Sequence, residues 1–284
     1  LRIEHPPMTA AAVARDHLLD IFANRAAEQR PVILGGAGAG LIAKVAGSAG
    51  LDVLMTYNIA KFRMDGNASL LGYLPYGDAN GITLELAPRI IPAAGGIPVI
   101  AGVGAADPYR DLGRHLDAII AAGYAGIVNT PTAGVYDGGF RVEIEKAGIG
   151  YAREVEMVRL CQEKGIFSLV YVFDESDARA MAEAGADAVS PHLGTTGAFT
   201  NLEEALADAV DRTNRMAGAA RAIAPDILVV AHGGPLETPE TVQRVLSETS
   251  ATAYIAGSSL ERIPVQGAVA AATKSFGLLT LRRE

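Results

Sequence analysis

Eight short apolar runs, with helical or loop sequence between them, constrain this chain more than any other feature. In order they read PVILGG (31–36), DVLMTYN (52–58), IPVIAGV (97–103), AGIVNTP (125–131), IFSLVYVF (166–173), DAVSPHLG (187–194), DILVVAHGG (226–234) and TAYIAGSS (252–259). Their apolar residues are consecutive, not alternate, so both faces need burial, as in the strands of a parallel sheet. Amphipathic segments fall between them at 108–122, 148–164, 176–184, 201–223 and 238–247. Asp174 or Ser176 suits the start of one such helix and Thr238-Pro239 the start of another. The phrases AGSAGLDVL, AAGYAGIV and AEAGADAV each place a glycine where a helix ends before the next strand.

Eight strand–helix units in about 250 residues predict a (β/α)8 TIM barrel, an α/β fold. The rival is an open doubly wound sheet, but no linker or shift of composition divides the chain. The expectation is therefore a single TIM-barrel domain over residues 1–284, with residues 1–30 forming an N-terminal extension and capping helix. That helix, at roughly 9–28, shows apolar residues at Val13, Leu18, Ile21 and Phe22, and is expected to cover the barrel's bottom.

A barrel works through the loops that follow its strands. Two are long: 57–83, YNIAKFRMDGNASLLGYLPYGDANGIT, and 129–147, NTPTAGVYDGGFRVEIEKA. Their Tyr, Phe, Leu and Arg content predicts ordered binding loops or lids. Polar residues gather at strand ends: Tyr57, Asn58, Asn129, Thr130, Tyr171, Asp174, Ser190, His192, His232, Ser258 and Ser259. Two histidines on adjacent strands at one level point to acid/base or ligating chemistry. Gly233-Gly234 and Gly257-Ser258-Ser259 follow the seventh and eighth runs, where barrels commonly hold a phosphate, and bare backbone N–H groups suit an anion. Arg63, Arg141 and Arg262 are natural partners for an acidic substrate. Glu154 and Glu156, two apart on a helix, point to different sides, so one can approach the site.

Several classes are excluded. The formal charge of −8 lacks a basic block, which argues against nucleic acid or an anionic membrane as partner. No apolar stretch reaches the ~18 residues of a membrane span, and the first residues lack a signal-peptide layout, so a cytoplasmic protein is expected. The one cysteine, Cys161, on a helical stripe with Met157 and Leu160, reads as buried filler. No lysine lies in a strand, and there is no GxSxG, P-loop or HExxH pattern. GGAGAG at 35–40 follows a strand without the spacing of a dinucleotide fingerprint.

Five segments together, YNIAKFRMDGNASLLGYLPYGDAN, GIVNTPTAGVYDGGFR, GYAREVEM, AHGGP and AGSSLERIP, resemble the phosphoenolpyruvate-hydrolase-like TIM-barrel family over residues 30 to 265. That family also supplies the C-terminal domain of a plant virus-resistance protein. The resemblance implies action on phosphoenolpyruvate or a related enol acid. The neighbouring phosphoenolpyruvate/pyruvate barrels imply a divalent metal such as Mg2+, although strand-end carboxylates are few here: Asp65, Asp78 and Asp137 lie in loops, and Asp174 ends a strand. The matched motifs mark Tyr57, Asn58, Arg63, Asp78, Asn80 and Asn129 as site residues. They also mark Glu154, His192, His232, Gly233, Ser258 and Arg262.

The expected function is an enzyme acting on a small anionic substrate, an enol acid or phosphorylated compound, by hydrolysis or lysis. His232, His192, Glu154, Tyr57 and Asn58 are the candidate catalytic residues. Arg63, Asp78, Asn80, Asn129, Gly233, Gly234, Gly257, Ser258, Ser259 and Arg262 are the candidates for substrate binding. Asn58 and Asn129 are expected to orient the substrate or stabilise an enolate, and the 57–83 loop to close over it. A homo-oligomer is expected. Two other readings are open: a flavin- or phosphate-binding oxidoreductase with the same anion grip, and a non-catalytic ligand-sensing or interaction barrel.

Overall fold

The computed structural model describes residues 8–197 and 199–281; the first seven residues of the expected N-terminal extension lie outside them. The chain runs α1 (Ala10–Ala27), β1 (Val32–Gly36), α2 (Gly40–Ser48), β2 (Val53–Thr56), α3 (Asn58–Met64), α4 (Ala79–Ile90), β3 (Val99–Gly102), α5 (Leu112–Ala121) and β4 (Gly126–Val128). It continues α6 (Gly138–Lys146), α7 (Tyr151–Lys164), β5 (Phe167–Val172), α8 (Glu175–Glu183), β6 (Ala188–Pro191), α9 (Leu202–Arg221), β7 (Leu228–His232), α10 (Pro239–Glu248), β8 (Ala253–Ala256) and α11 (Arg262–Gly277). All eight strands pair in parallel with their sequence neighbours. Val32 pairs with Ala253, so β1 meets β8 and the sheet closes. The fold is the (β/α)8 barrel that the eight runs predict.

Consecutive apolar residues are explained by the two faces of each strand. Val32, Leu34, Val53, Met55, Ile100, Val128, Leu169, Val230 and Ile255 fill the barrel's interior. The residues between them, such as Leu54, Ile127, Val170, Val189 and Val229, pack outward against the helices. Asp174 and Thr238 cap α8 and α10 through their side chains, with Pro239 opening the second helix. Gly50, Gly123 and Gly185 end helices with positive φ, a conformation that suits glycine.

The underside is sealed by α1. Leu18 and Phe22 enter the interior cluster, and the Phe22 ring stacks 6.3 Å from Phe167 at the start of β5. Arg25 pairs with Asp52 at 2.5 Å and Arg15 with Asp187 at 2.6 Å. Asp52 also accepts from the Ile33 N–H and Asp187 from the Ser168 N–H, so each acid ties the helix to two neighbouring strands. Val13, expected on the buried face, is 55% exposed instead.

Both long segments carry helices that the pattern did not show. Residues 57–83 contain α3 and a short 3-10 turn at Ser69–Tyr73, and residues 129–147 contain α6. Ser69 and Ser258 hydroxyls lie 3.4 Å apart, and the Tyr136 hydroxyl donates to the Tyr73 carbonyl. The two segments thus lean on each other and on the end of β8. Cys161 is buried, as expected. No described helix is long and apolar enough to cross a membrane.

Candidate active site

Strand periodicity delivers the mouth. Inward residues recur every second position, so the rows begun inside the barrel continue above it. Val53 and Met55 lead to Tyr57; Leu169 leads to Tyr171; Ala188 leads through Ser190 to His192; Val230 leads to His232; Ala253 and Ile255 lead to Gly257. These residues line a cavity of about 780 Å3, together with Arg63, Ser258 and Arg262. Thr130, Tyr73, Phe173 and Arg212 are also among its walls.

The two histidines face each other at one level through a bridge between β6 and β7. Their ring centroids lie 5.2 Å apart, and each is about 5 Å from the Tyr171 ring. Burial lowers both imidazoles, His232 to about 4 and His192 to about 3, so both are neutral near pH 7. Their hydrogen bonds fix the tautomers. The His232 Nδ1 lies 3.0 Å from the Ile255 carbonyl, which can only accept, so Nδ1 carries the proton and Nε2 keeps its lone pair. The His192 Nδ1 accepts from Gly194 N–H at 3.2 Å, which leaves the proton on Nε2. One ring can take a proton and the other can donate a hydrogen bond.

Arg63 arrives from α3 and is 6% exposed. Its guanidinium pairs with Glu261, just past β8, and donates to the Tyr57 hydroxyl at 2.9 Å. Burial raises Glu261 to about 7, against the pull of Arg63. Arg63 Nε has no partner within the protein. Glycine makes the room: a Cβ on Gly36 would stand 2.7 Å from the Glu261 carboxylate, and one on Gly257 would stand 3.1 Å from Arg63 Nη1. Bare backbone at the strand ends thus admits a buried ion pair.

Other expected site residues are placed elsewhere. Gly234 N–H donates to the Gly194 carbonyl, and a Cβ on Gly233 would sit 2.4 Å from that oxygen. These glycines let the loops after β6 and β7 close together, so Gly234 N–H is not free for an anion. Ser259 lies 3.1 Å from the Tyr254 hydroxyl and does not line the cavity. The Asn129 amide bridges to the Tyr171 backbone at 2.6 Å and to Glu154 at 2.6 Å, which occupies the groups expected to meet an enolate. Glu154 also accepts from Thr132 and the Ala133 N–H, while Glu156 pairs with Arg153 at the surface. Asn58, Asp78 and Asn80 face a different cavity beside the mouth. Asp78 caps α4 and pairs with Arg110 at 2.5 Å; Asn80 holds Gly104 and Asp107. Arg141 pairs with Glu145 at 2.7 Å and lies over the Tyr151 ring.

Sequence reasoning missed Glu261, Tyr73, Phe173 and Arg212. Glu261 stands beside Arg262 in SSLER and looks like half of a surface charge pair. Its signal was indirect, in the glycine at position 36.

A family described as phosphoenolpyruvate hydrolase-like matches this sequence over residues 17–279, nearly all of the described barrel. The chain belongs to this family. The tomato (Solanum lycopersicum) ToMV resistance protein Tm-1(GCR237) is 37% identical over 273 residues, covering 94% of this chain and 36% of the tomato protein. This chain therefore spans little over a third of that relative's length. Among solved structures, phosphoenolpyruvate phosphomutase of Streptomyces platensis subsp. rosaceus superposes with a TM-score of 0.62 at 16% identity, covering 93% and 86% of the two chains. Oxaloacetate acetylhydrolase gives 0.59 at 17% identity, covering 96% and 90%. At such identities the likeness is one of fold.

The resemblance in sequence carries the expectation of a divalent metal such as Mg2+. A hard cation wants several oxygen ligands. The central cavity has one lining carboxylate, the exposed Asp137, while neighbouring Glu261 is paired to Arg63. Among the described residues no group of three or more His, Cys, Asp or Glu is arranged to hold a metal. The residues present do not fit a Mg2+ cage.

Proposed function

We propose that this barrel is an enzyme acting on a small anionic substrate, an enol acid or phosphorylated acid, by hydrolysis or lysis. The observation that carries the reading is the histidine pair: two neutral rings of complementary tautomer at the mouth of a barrel lined by Arg63, Arg212 and Arg262. Arginine suits carboxylate and phosphate groups through its planar donors. Arg212 and Arg262, the less buried of the three, would draw in the anion.

In this reading His232 Nε2 takes a proton from an attacking water or from the substrate, and the same nitrogen returns it to the leaving atom. His192 Nε2–H donates to the oxygen on which charge develops, as a neutral imidazole can without losing its proton. The Tyr57 hydroxyl, polarised by Arg63, is a second donor. Residues 57–83, held at Ser69–Ser258, are the segment that would exclude water.

The family's description makes phosphoenolpyruvate the first compound to assay. Pyruvate and phosphate release by the wild type, unaffected by chelator and abolished in His232→Ala without a fall in Tm, is the expected result. Equal release by the variant would remove His232 from the chemistry. Ligand-dependent stabilisation without turnover of any enol acid would favour a sensing barrel instead.

Self-association is also part of the proposal. None of the residues of α11 is buried, and Val265, Val269 and Phe276 stand exposed along it, at 39%, 60% and 73%. A second copy of the chain is the occupant that this face would take.

A further inference from the structure

The mouth has two unlike sides. Strands that pair in sequence order around a closed ring set the segments after them in the same order around its rim. The segments after β2, β4 and β5 give the cavity Leu70, Tyr73, Val135 and Phe173. The ends of β6, β7 and β8, with the segments after them, give it His192, Arg212, His232 and Arg262. Arg63 starts in α3 but crosses the bare end of β1 to pair with Glu261 beyond β8, so its charge belongs with the second group. The lining carboxylate, Asp137, is exposed and follows β4, on the other side. Charge therefore directs an anion towards the histidines and arginines and away from the wall between β2 and β5.

That wall is apolar and assembled. The Phe173 ring stacks on His192 with centroids 5.1 Å apart, and a side chain on Gly134 would run into it, so the turn Ala133–Val135 closes directly on the ring. Leu70, in the turn Ser69–Tyr73, lines the cavity and is nonetheless 55% exposed. The contacts Ser69–Ser258 and Tyr136–Tyr73 hold both long segments in place, so the mouth's volume of about 780 Å3 is not that of a splayed loop. Cavities of roughly 300–1,000 Å3 take ligands of drug size. Phosphoenolpyruvate or another short acid at the histidines would leave most of this one filled with water against Leu70, Val135 and Phe173. An apolar group there displaces that water, and the Phe173–His192 stack makes its place continuous with the reacting end.

We propose that the mouth takes an amphipathic acid, with a carboxylate or enol-acid head at the histidines and arginines and an aryl or branched apolar body against Leu70, Val135 and Phe173. The proposal rests on the reading of the mouth as the site of an anionic substrate and narrows the class of that substrate. Leu70, Val135 and Phe173 are then specificity-determining residues, and short acids are the weaker ligands.

The test is calorimetric titration of the chain with phenylpyruvate, pyruvate and the neutral ketone acetophenone. Phenylpyruvate is expected to bind at least about tenfold more tightly than pyruvate, and acetophenone far more weakly than phenylpyruvate. Leu70→Asn and Val135→Asn should each narrow the gap between the two acids severalfold and leave pyruvate as it was. Arg262→Gln should weaken both acids by the same factor. Leu70 is exposed and Val135 half-buried, so both wall variants are expected to fold, which an unchanged Tm checks. The proposal is overturned if phenylpyruvate binds no more tightly than pyruvate, if both wall variants keep the full gap, or if acetophenone matches phenylpyruvate. The two readings fail separately. Tight, Leu70-dependent binding of phenylpyruvate with no acid turned over sinks the enzyme and keeps the amphipathic ligand. Turnover of phosphoenolpyruvate with no gain from the phenyl group does the reverse.

Discussion

At the scale of single residues, the histidines link site chemistry to stability. Burial lowers His232 from 6.5 to about 4 and His192 from 6.5 to about 3. Below pH 6.5 the unfolded rings bind protons that the native ones refuse, so these groups make the protein less stable as pH falls towards 4. Glu154 and Glu261 act in the opposite sense: raised from 4.5 to about 8 and about 7, they lose stability as pH rises through that range. His232→Gln should therefore flatten the acid limb of Tm against pH and leave the neutral limb as it was; parallel curves for the two proteins would refute the assignment. A second residue-scale prediction concerns the ion pair. Arg63→Met strands a buried carboxyl and should cost about 3–5 kcal/mol, whereas Arg63→Met combined with Glu261→Gln should recover much of it, as a denaturation cycle would read. His192 and His232 were legible because strand phase places them. Glu261 was not, because a charged residue in a turn shows nothing of its depth.

At the scale of elements, Glu154 joins a loop to a helix through three hydrogen bonds. It receives Asn129 Nδ2, Thr132 hydroxyl and Ala133 N–H, and so fastens the segment after β4 to α7. Glu154→Leu removes the acceptor of three hydrogen bonds, two of them buried, and should lower stability by about 2–4 kcal/mol in urea unfolding, a larger loss than Glu156→Leu at the surface. The sequence showed all eight strands because each is apolar on both sides. The helices at 112–121, 151–164, 175–183, 202–221 and 239–248 were visible through their amphipathic stripes. Others were not: α3 and α6 lie inside segments read as loops, α4 contains Pro88, and α11 buries no residue. Asn129 directly follows β4 as expected, whereas Asn58 opens α3 two residues beyond β2, and sequence alone does not say that the Gly72 and Tyr171 carbonyls already receive their amide N–H2 groups.

At the scale of the whole molecule, the exposed face of α11 makes association measurable. Val269→Glu should shift light-scattering mass towards the monomer if that helix joins two copies; an unchanged mass would exclude this face. The barrel is also polarised along its axis. Its lower end is closed by Leu18 and Phe22 and fastened by Arg15 and Arg25, while the mouth is built from strand-end residues and two long segments. Leu18→Ala, far from the histidines, should cost about 2–5 kcal/mol of stability yet leave the substrate affinity of the folded fraction intact. The plug also separates two kinds of damage. A lesion in α1 loosens the barrel from beneath without touching a cavity wall, so it announces itself in unfolding before it announces itself in binding.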